Sequence, residues 1–179
     1  MARKYILLAI GSVAFAGIML MLYASHTGIF YAETCKEGEV LAIFSPENSD
    51  EILALLDGAK REIKLEVYEF SSKTLADALI AARSRGVDVQ VILEPSVAAN
   101  TKISEYLLNG GVGVAWASKK FHNTHSKFAV IDDGVVLVGS TNWSKNAMLY
   151  NREASVVVYS TDVARSFEKI FDSDYAAGS

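Results

Sequence analysis

Apolar positions along this chain change their period several times, and each change predicts a different element. From Tyr5 to Ala24 they run almost unbroken: YILLAIGSVAFAGIMLMLYA holds 20 residues and no charge. A helix of that length spans about 30 Å, the thickness of a bilayer's hydrocarbon core. Arg3 and Lys4 precede the run, and Tyr5 and Tyr23 sit at its ends, where interfacial aromatics belong. A cleaved signal peptide is the competing reading. Its apolar core is normally shorter, and Leu22 stands where a small residue before the cleavage site is wanted. The expectation is therefore an uncleaved transmembrane anchor over 5–24, with a secreted or periplasmic protein after cleavage as the alternative. Only Lys36 follows within 15 residues of the span, so charge bias puts the N-terminus in the cytoplasm and the rest outside. Residues 25–37 form a tether reaching at most ~45 Å.

From residue 38 the pattern is that of a globular domain. Val40–Phe44 reads as a short strand. Ile52, Leu53, Leu55, Leu56 and Ala59 mark one face of a helix over Asp50–Glu62, capped by Asn48 or Ser49. Ile63–Phe70 alternates strictly, which predicts a strand with one apolar face. Lys73–Arg85 repeats at helical spacing and stops at Gly86; Val87–Leu93 is the next strand, closed by Pro95. Asn100 is placed to cap a helix over Thr101–Leu108, ended by Gly110-Gly111, and Val112–Trp116 is strand again. His125–Ile131 and Val135–Gly139 flank Asp132-Asp133-Gly134, a hairpin signal. Glu153–Tyr159 is the last strand, followed by a helix that Thr161 or Asp162 caps and that runs to about Ala176. Early strand–helix alternation and a late hairpin predict an α/β fold, a mixed β-sheet sandwiched by helices, as one domain over 38–176.

Charge and cysteine content change the picture locally. The chain carries a net charge of −4. Residues 101–152 nevertheless hold Lys102, Lys119, Lys120, Lys127, Lys145 and Arg152 against Glu105, Asp132 and Asp133, a local +3 suited to a phosphate-bearing substrate. Cys35 is the single cysteine. It excludes an intrachain disulfide and a cysteine-based metal site, and leaves a free thiol or an intermolecular bridge.

The chemistry concentrates in one stretch. His125-Ser126-Lys127-Phe128-Ala129-Val130-Ile131-Asp132 reads H-x-K-x-x-x-x-D, followed by Gly139-Ser140-Thr141-Asn142 and by Glu153. By average residue usage, an H-x-K-x4-D match arises in roughly one chain in a hundred of this length, and the downstream residues make chance much rarer. On a strand, His125 and Lys127 project from one face, suiting one phosphate across both. The imidazole can act as nucleophile or proton carrier, and the ammonium can neutralise phosphoryl oxygens. Ser140 and Asn142 can donate to the same oxygens, and Glu153 can orient the imidazole. Asp132 in a D-D-G turn is explained by turn chemistry and is expected to organise the site rather than react. A metal site is disfavoured, because carboxylates are few and a lysine occupies the centre of the motif; His122 and His125 have no third ligand in view. No cofactor is expected. Phe121 and Trp143 flank the motifs and either stack a base or join the core.

This pattern resembles the phospholipase D superfamily, whose signature is H-x-K-x4-D followed by G-S-x-N. His125, Lys127, Asp132, Gly139, Ser140 and Asn142 match it. Glu153 falls where the family's small nucleases carry the carboxylate that orients the histidine. The resemblance covers residues 38–176. It implies a phospholipase D/nuclease-like fold and metal-independent phosphodiester cleavage through a phosphohistidine. The motif occurs once here, as in the single-motif endonuclease-like branch, which implies a homodimer that shares one site. Catalytic roles would fall to His125, Lys127, Asp132, Asn142 and Glu153, and phosphate binding to Lys127, Ser140 and Asn142. Small single-motif members suggest DNA or RNA as substrate. Membrane phospholipid, converted to phosphatidic acid, is the alternative. A non-catalytic membrane-bound subunit is a third class, disfavoured by the intact motif.

Overall fold

A computed structural model describes residues 37–46 and 49–179. The expected membrane segment over 5–24, nearly all of the tether, Cys35 and the candidate cap Asn48 lie outside the described residues. Among those described, no helix is long and apolar enough to cross a membrane.

Seven strands build one mixed sheet: β1 Val40–Phe44, β2 Glu62–Val67, β3 Asp88–Leu93, β4 Gly113–Trp116, β5 Lys127–Ile131, β6 Val135–Gly139 and β7 Ala154–Tyr159, in spatial order β1-β7-β6-β5-β2-β3-β4. β2, β3 and β4 are parallel, and all other pairings are antiparallel. The helices are α1 Ser49–Gly58, α2 Lys73–Ser84, α3 Ala98–Asn109, α4 Lys145–Leu149 and α5 Thr161–Ala177. The strands β2, β3 and β4 are linked by α2 and α3, as parallel neighbours require.

Strand alternation divides the interior in two. Ile63, Leu65 and Val67 of β2 and Ala129 and Ile131 of β5 join Ile52, Leu56, Leu75, Leu79, Ile103 and Leu107 of α1, α2 and α3 in the larger core. On the opposite face Phe128 and Val130 of β5 meet Ala164 and Phe171 of α5, with Phe167 packed against them. Phe128 makes edge-on contacts with Phe167 and Phe171 at 5.0 and 6.5 Å. Each fully buried side chain of this size contributes about 1.5–3 kcal/mol of apolar transfer. The sandwich expected from the sequence is thus present.

Several expectations are corrected. β2 has the expected apolar face, Ile63, Leu65 and Val67, but α5 covers the Lys64 and Glu66 side as well, and Glu66 is buried. Its alternation therefore reports charged residues under a helix. α1 ends at Gly58, because the amides of Lys60, Arg61 and Glu62 are drawn to the Asp132 carboxylate. α3 starts at Ala98, and Asn100 lies inside it. The Asn100 amide is fully buried, accepting from the Phe70 amide and donating to the carbonyls of Tyr68 and Glu94. The cap of α5 is Ser160, whose hydroxyl accepts from the Val163 amide. α4 was not expected at all; its Ser144 cap accepts from Ala147.

The hairpin between β5 and β6 forms as expected, but its two left-handed residues are Asp132 and Asp133, at φ 52° and 56°. Adjacent to it, Asp133 meets Glu62 of β2 and Glu168 of α5, with oxygens that all lie within 4.8 Å of one another. Burial, then a proton shared with Asp133, pushes Glu62 up to about 7, and burial also raises Glu168. Arg61 pairs with Asp133 at 2.7 Å and Lys64 with Asp172 at 3.0 Å, which offsets part of the repulsion.

A carboxyl raised in the folded state binds more protons there than in the unfolded chain. Stability from this group is therefore largest below its unfolded value and falls as pH rises toward 7. We expect Tm to decline between about pH 4.5 and 7. Glu62→Gln should flatten that decline and raise Tm at pH 8, as measured by thermal melts across pH. An unchanged slope in the variant would remove Glu62 as its cause.

Candidate active site

The registers bring the chemistry to one edge of the sheet. Val67 lies opposite both Leu93 and Lys127, Leu93 opposite Trp116, Gly139 opposite Ser155, and Phe44 opposite Ala154. The C-terminal ends of β1, β2, β3, β4 and β6 and the N-terminal ends of β5 and β7 therefore share that edge. Tyr68, His125, Lys127, Ser140, Asn142 and Glu153 all lie along it.

His125 just precedes β5 and is exposed, whereas Lys127 is the first residue of β5 and only 9% exposed. Lys127 Nζ donates to the His125 carbonyl at 2.8 Å and lies 3.3 Å from Nδ1. An ammonium can only donate, so Nδ1 is the acceptor in that contact. Burial draws the Lys127 ammonium below the usual lysine range, against the nearby charges of Glu153 and Glu69, which favour it. Among the described residues no carboxylate comes within ion-pair distance of it.

Tyr68 completes this group. Its ring packs on the imidazole at 4.3 Å between centroids, and Lys127 Nζ lies 5.2 Å from the same ring. The Tyr68 amide donates to the Ser126 carbonyl at 3.0 Å, extending the β2–β5 ladder by one link. Beneath the motif, the Ser126 hydroxyl donates a very short bond to buried Glu66. Burial raises the Glu66 carboxyl, opposed by that bond.

Ser140 and Glu153 form a second group. Ser140 donates to Glu153 Oε2 at 2.6 Å, and Asn151 Nδ2 donates to Oε1 at 2.9 Å. Ser45 fixes the backbone on either side, donating to the Asn151 carbonyl and accepting from the Glu153 amide. Gly139 is required here, because a Cβ would collide with Ser155 and the Ala154 carbonyl across β7. Within one chain, then, the donors on Glu153 are Ser140 and Asn151 and not His125. Asn142 is half-buried, and its Oδ1 is shielded from solvent without a hydrogen-bond partner.

Asp132 is not in this group. It follows the other end of β5, roughly 17 Å from Lys127 at strand rise. Its carboxylate accepts from the amides of Lys60, Arg61 and Glu62 at 2.8, 2.7 and 3.1 Å. It organises the β2–β5 junction, away from the edge that holds the others. Among the described residues, the one carboxylate cluster able to offer a cation several oxygens, Glu62, Asp133 and Glu168, also lies at that far end. Sequence reasoning missed Tyr68, Ser45 and Glu66 as parts of the site. Their only signal is strand register, which alternation does not encode.

A family model described as cardiolipin synthase, PLD-like domain, matches residues 52–175. The chain belongs to the phospholipase D superfamily. This phospholipase D-like domain is 36% identical over 123 residues to the mitochondrial cardiolipin hydrolase of Xenopus laevis, covering 68% of this chain and 58% of that protein. The chain thus spans a little under three-fifths of the length of that curated relative. Among solved structures it is similar to Nuc from Salmonella typhimurium, a phospholipase D family member, at 30% identity and TM-score 0.74, covering 80% of this chain and 97% of that one. NucT from Helicobacter pylori shares the fold, at TM-score 0.72 and 23% identity.

Asp132 accepts from three amides at an exposed to half-buried turn, so removing its carboxylate should cost roughly 1.5–3 kcal/mol, the worth of hydrogen bonds to a charged group. We expect Asp132→Ala to lower Tm, and Asp132→Asn, which tolerates the left-handed backbone, to lower it less. Equal Tm for wild type and Asp132→Ala by calorimetry would contradict this role.

Proposed function

We propose that this domain is a metal-independent phosphodiesterase that cleaves DNA or RNA through His125. The observation that carries the reading is the buried Lys127 ammonium, in ion-pair contact with no carboxylate among the described residues, held 3.3 Å from an exposed imidazole. A buried cation next to a nucleophile suits a phosphodiester anion.

In the first step an imidazole nitrogen of His125 attacks phosphorus. A P–N bond forms, and the P–O bond to the leaving group breaks. The leaving oxygen takes a proton from a second imidazole. In the second step that imidazole accepts a proton from water, the hydroxyl attacks phosphorus, and the P–N bond breaks. Lys127 balances charge on the phosphoryl oxygens throughout, and Asn142 is available to them. Tyr68 restrains the ring, and a positioned acid or base contributes ~10²–10⁴-fold.

The second imidazole is the partner's His125 in a two-fold homodimer. Two features support sharing. One chain carries a single motif, and its Glu153 is engaged by Ser140 and Asn151. Residues 5–24 would anchor the catalytic domain, 38–176, outside the cytoplasm and close to a bilayer.

A phospholipid substrate is the second reading. It is favoured by that apolar segment and by relatives named mitochondrial cardiolipin hydrolase. The local excess of lysine and arginine over 101–152 favours nucleic acid.

The full-length chain in detergent, with chelator present, should cleave single-stranded DNA or RNA, and His125→Ala should abolish turnover. Phosphatidic acid release from cardiolipin or phosphatidylcholine, with nucleic acid untouched, would establish the second reading. Loss of activity in chelator, restored by magnesium, would overturn the metal-free mechanism. Specific activity should also fall on dilution in step with dimer dissociation followed by sedimentation. A fully active monomer would refute the shared site.

A further inference from the structure

The two aromatics that flank the motifs part company in the fold. Trp143 is 2% exposed and packs edge-on against Phe70 in the main core. Phe121 is 51% exposed, on the loop between β4 and β5. That loop borders an open groove of about 670 Å³, lined by Glu94, Ser118, Lys119, Lys120, Phe121 and His122.

The loop is held by a buried anchor. Glu94 follows β3 and is 5% exposed; it accepts from the amides of Ser96 at 3.0 Å and Thr124 at 2.8 Å. Burial pushes this carboxyl up, but those hydrogen bonds and the His122 charge outweigh it and hold it below the usual range. The carboxylate therefore stays ionised, with its oxygens engaged by backbone amides. The groove is lined by residues that follow β3 and β4, at the same edge of the sheet as His125, which Thr124 adjoins. Phe121 lies four residues from His125, at most ~14 Å along the chain.

We propose that this groove is a nucleotide subsite for single-stranded nucleic acid, in which Phe121 stacks on a base beside the scissile phosphate and Lys119 and Lys120 neutralise the adjoining backbone. The proposal rests on the nuclease reading above and narrows it to unpaired strands. An exposed ring beside two lysines is the combination that holds single strands without reading sequence. Lys120 Nζ already lies 5.5 Å from the ring centre, leaving the ammonium next to the stacking surface. A membrane-inserting loop would present several apolar residues on a convex tip. Phe121 instead stands alone between Lys120 and His122, on the wall of a concavity that a flexible strand can enter and a bilayer cannot follow. A base must be unstacked to offer its face, so a duplex gains nothing from Phe121.

Binding tests this separately from cleavage. Full-length His125→Ala protein in detergent is titrated into a short labelled single strand, and in parallel into a duplex and into vesicles of anionic phospholipid. Adding Phe121→Ala should weaken single-strand binding roughly five- to hundredfold and leave duplex binding alone, and Phe121→Trp should restore it. Lys119→Ala and Lys120→Ala should each lower the slope of log K against log salt by about 0.7. An unchanged single-strand Kd in Phe121→Ala would overturn the subsite, as would equal losses for single strand and duplex. Loss confined to vesicle binding would assign the loop to a membrane surface instead. If the strand binds with these dependences but is never cut, the subsite stands and the nuclease reading fails.

Discussion

The pairing of β2 with β5 is the constraint on which the rest depends. It sets Val67 opposite Lys127 and, one link further, Tyr68 beside Ser126. A shift by one residue would turn Lys127 into the α5 layer and Phe128 into the other core. Register is held from both faces, because Ala129 and Ile131 are buried on one side and Phe128 and Val130 on the other. It is also held from both ends. Asp132 clasps three amides at one end, and Ser126 bonds to Glu66 at the other. The imidazole and ammonium are placed by packing well before a substrate arrives.

The two ends of the sheet thereby divide their tasks. At the far end, acidic groups from β2, the hairpin and α5 are crowded together, and Glu62 answers by holding its proton to about pH 7. That end concerns stability. At the near end lysines stand beside carboxylates, with Lys127 buried near Glu69 and Glu153, and Lys119 and Lys120 exposed on the groove that Glu94 also lines. The cluster of Glu62, Asp133 and Glu168 lies a strand length away from Lys127, whose neighbouring carboxylates are Glu69 and Glu153.

The near edge also contains polar atoms that one chain leaves uncommitted. The shielded Oδ1 of Asn142 has no partner, although buried polar atoms nearly always find one. The imidazole faces outward, and the Glu153 carboxylate accepts from Ser140 and Asn151 of its own chain. The proposed two-fold pairing and anionic substrate would bring partners to these atoms.

Except for the short α4, the order of strands and helices was legible from periodicity alone, because 3.6-residue spacing and alternation are local signals. The signature residues were legible because a nucleophile, a cation and amide donors at fixed spacings rarely coincide. Boundaries failed where a distant partner intervened. α1 stopped early because Asp132, some seventy residues on, captured the amides after it, and Asn100 left its expected cap to bridge three backbone groups. The sequence by itself determined the kind of sheet, the chemistry-bearing residues and their family. Only the tertiary structure decided which of them meet: it put Tyr68 on His125, sent Asp132 to the opposite end, buried Trp143 and exposed Phe121. Period and spacing are properties of one segment, whereas register and burial are settled between segments by the pairing energy of a whole sheet.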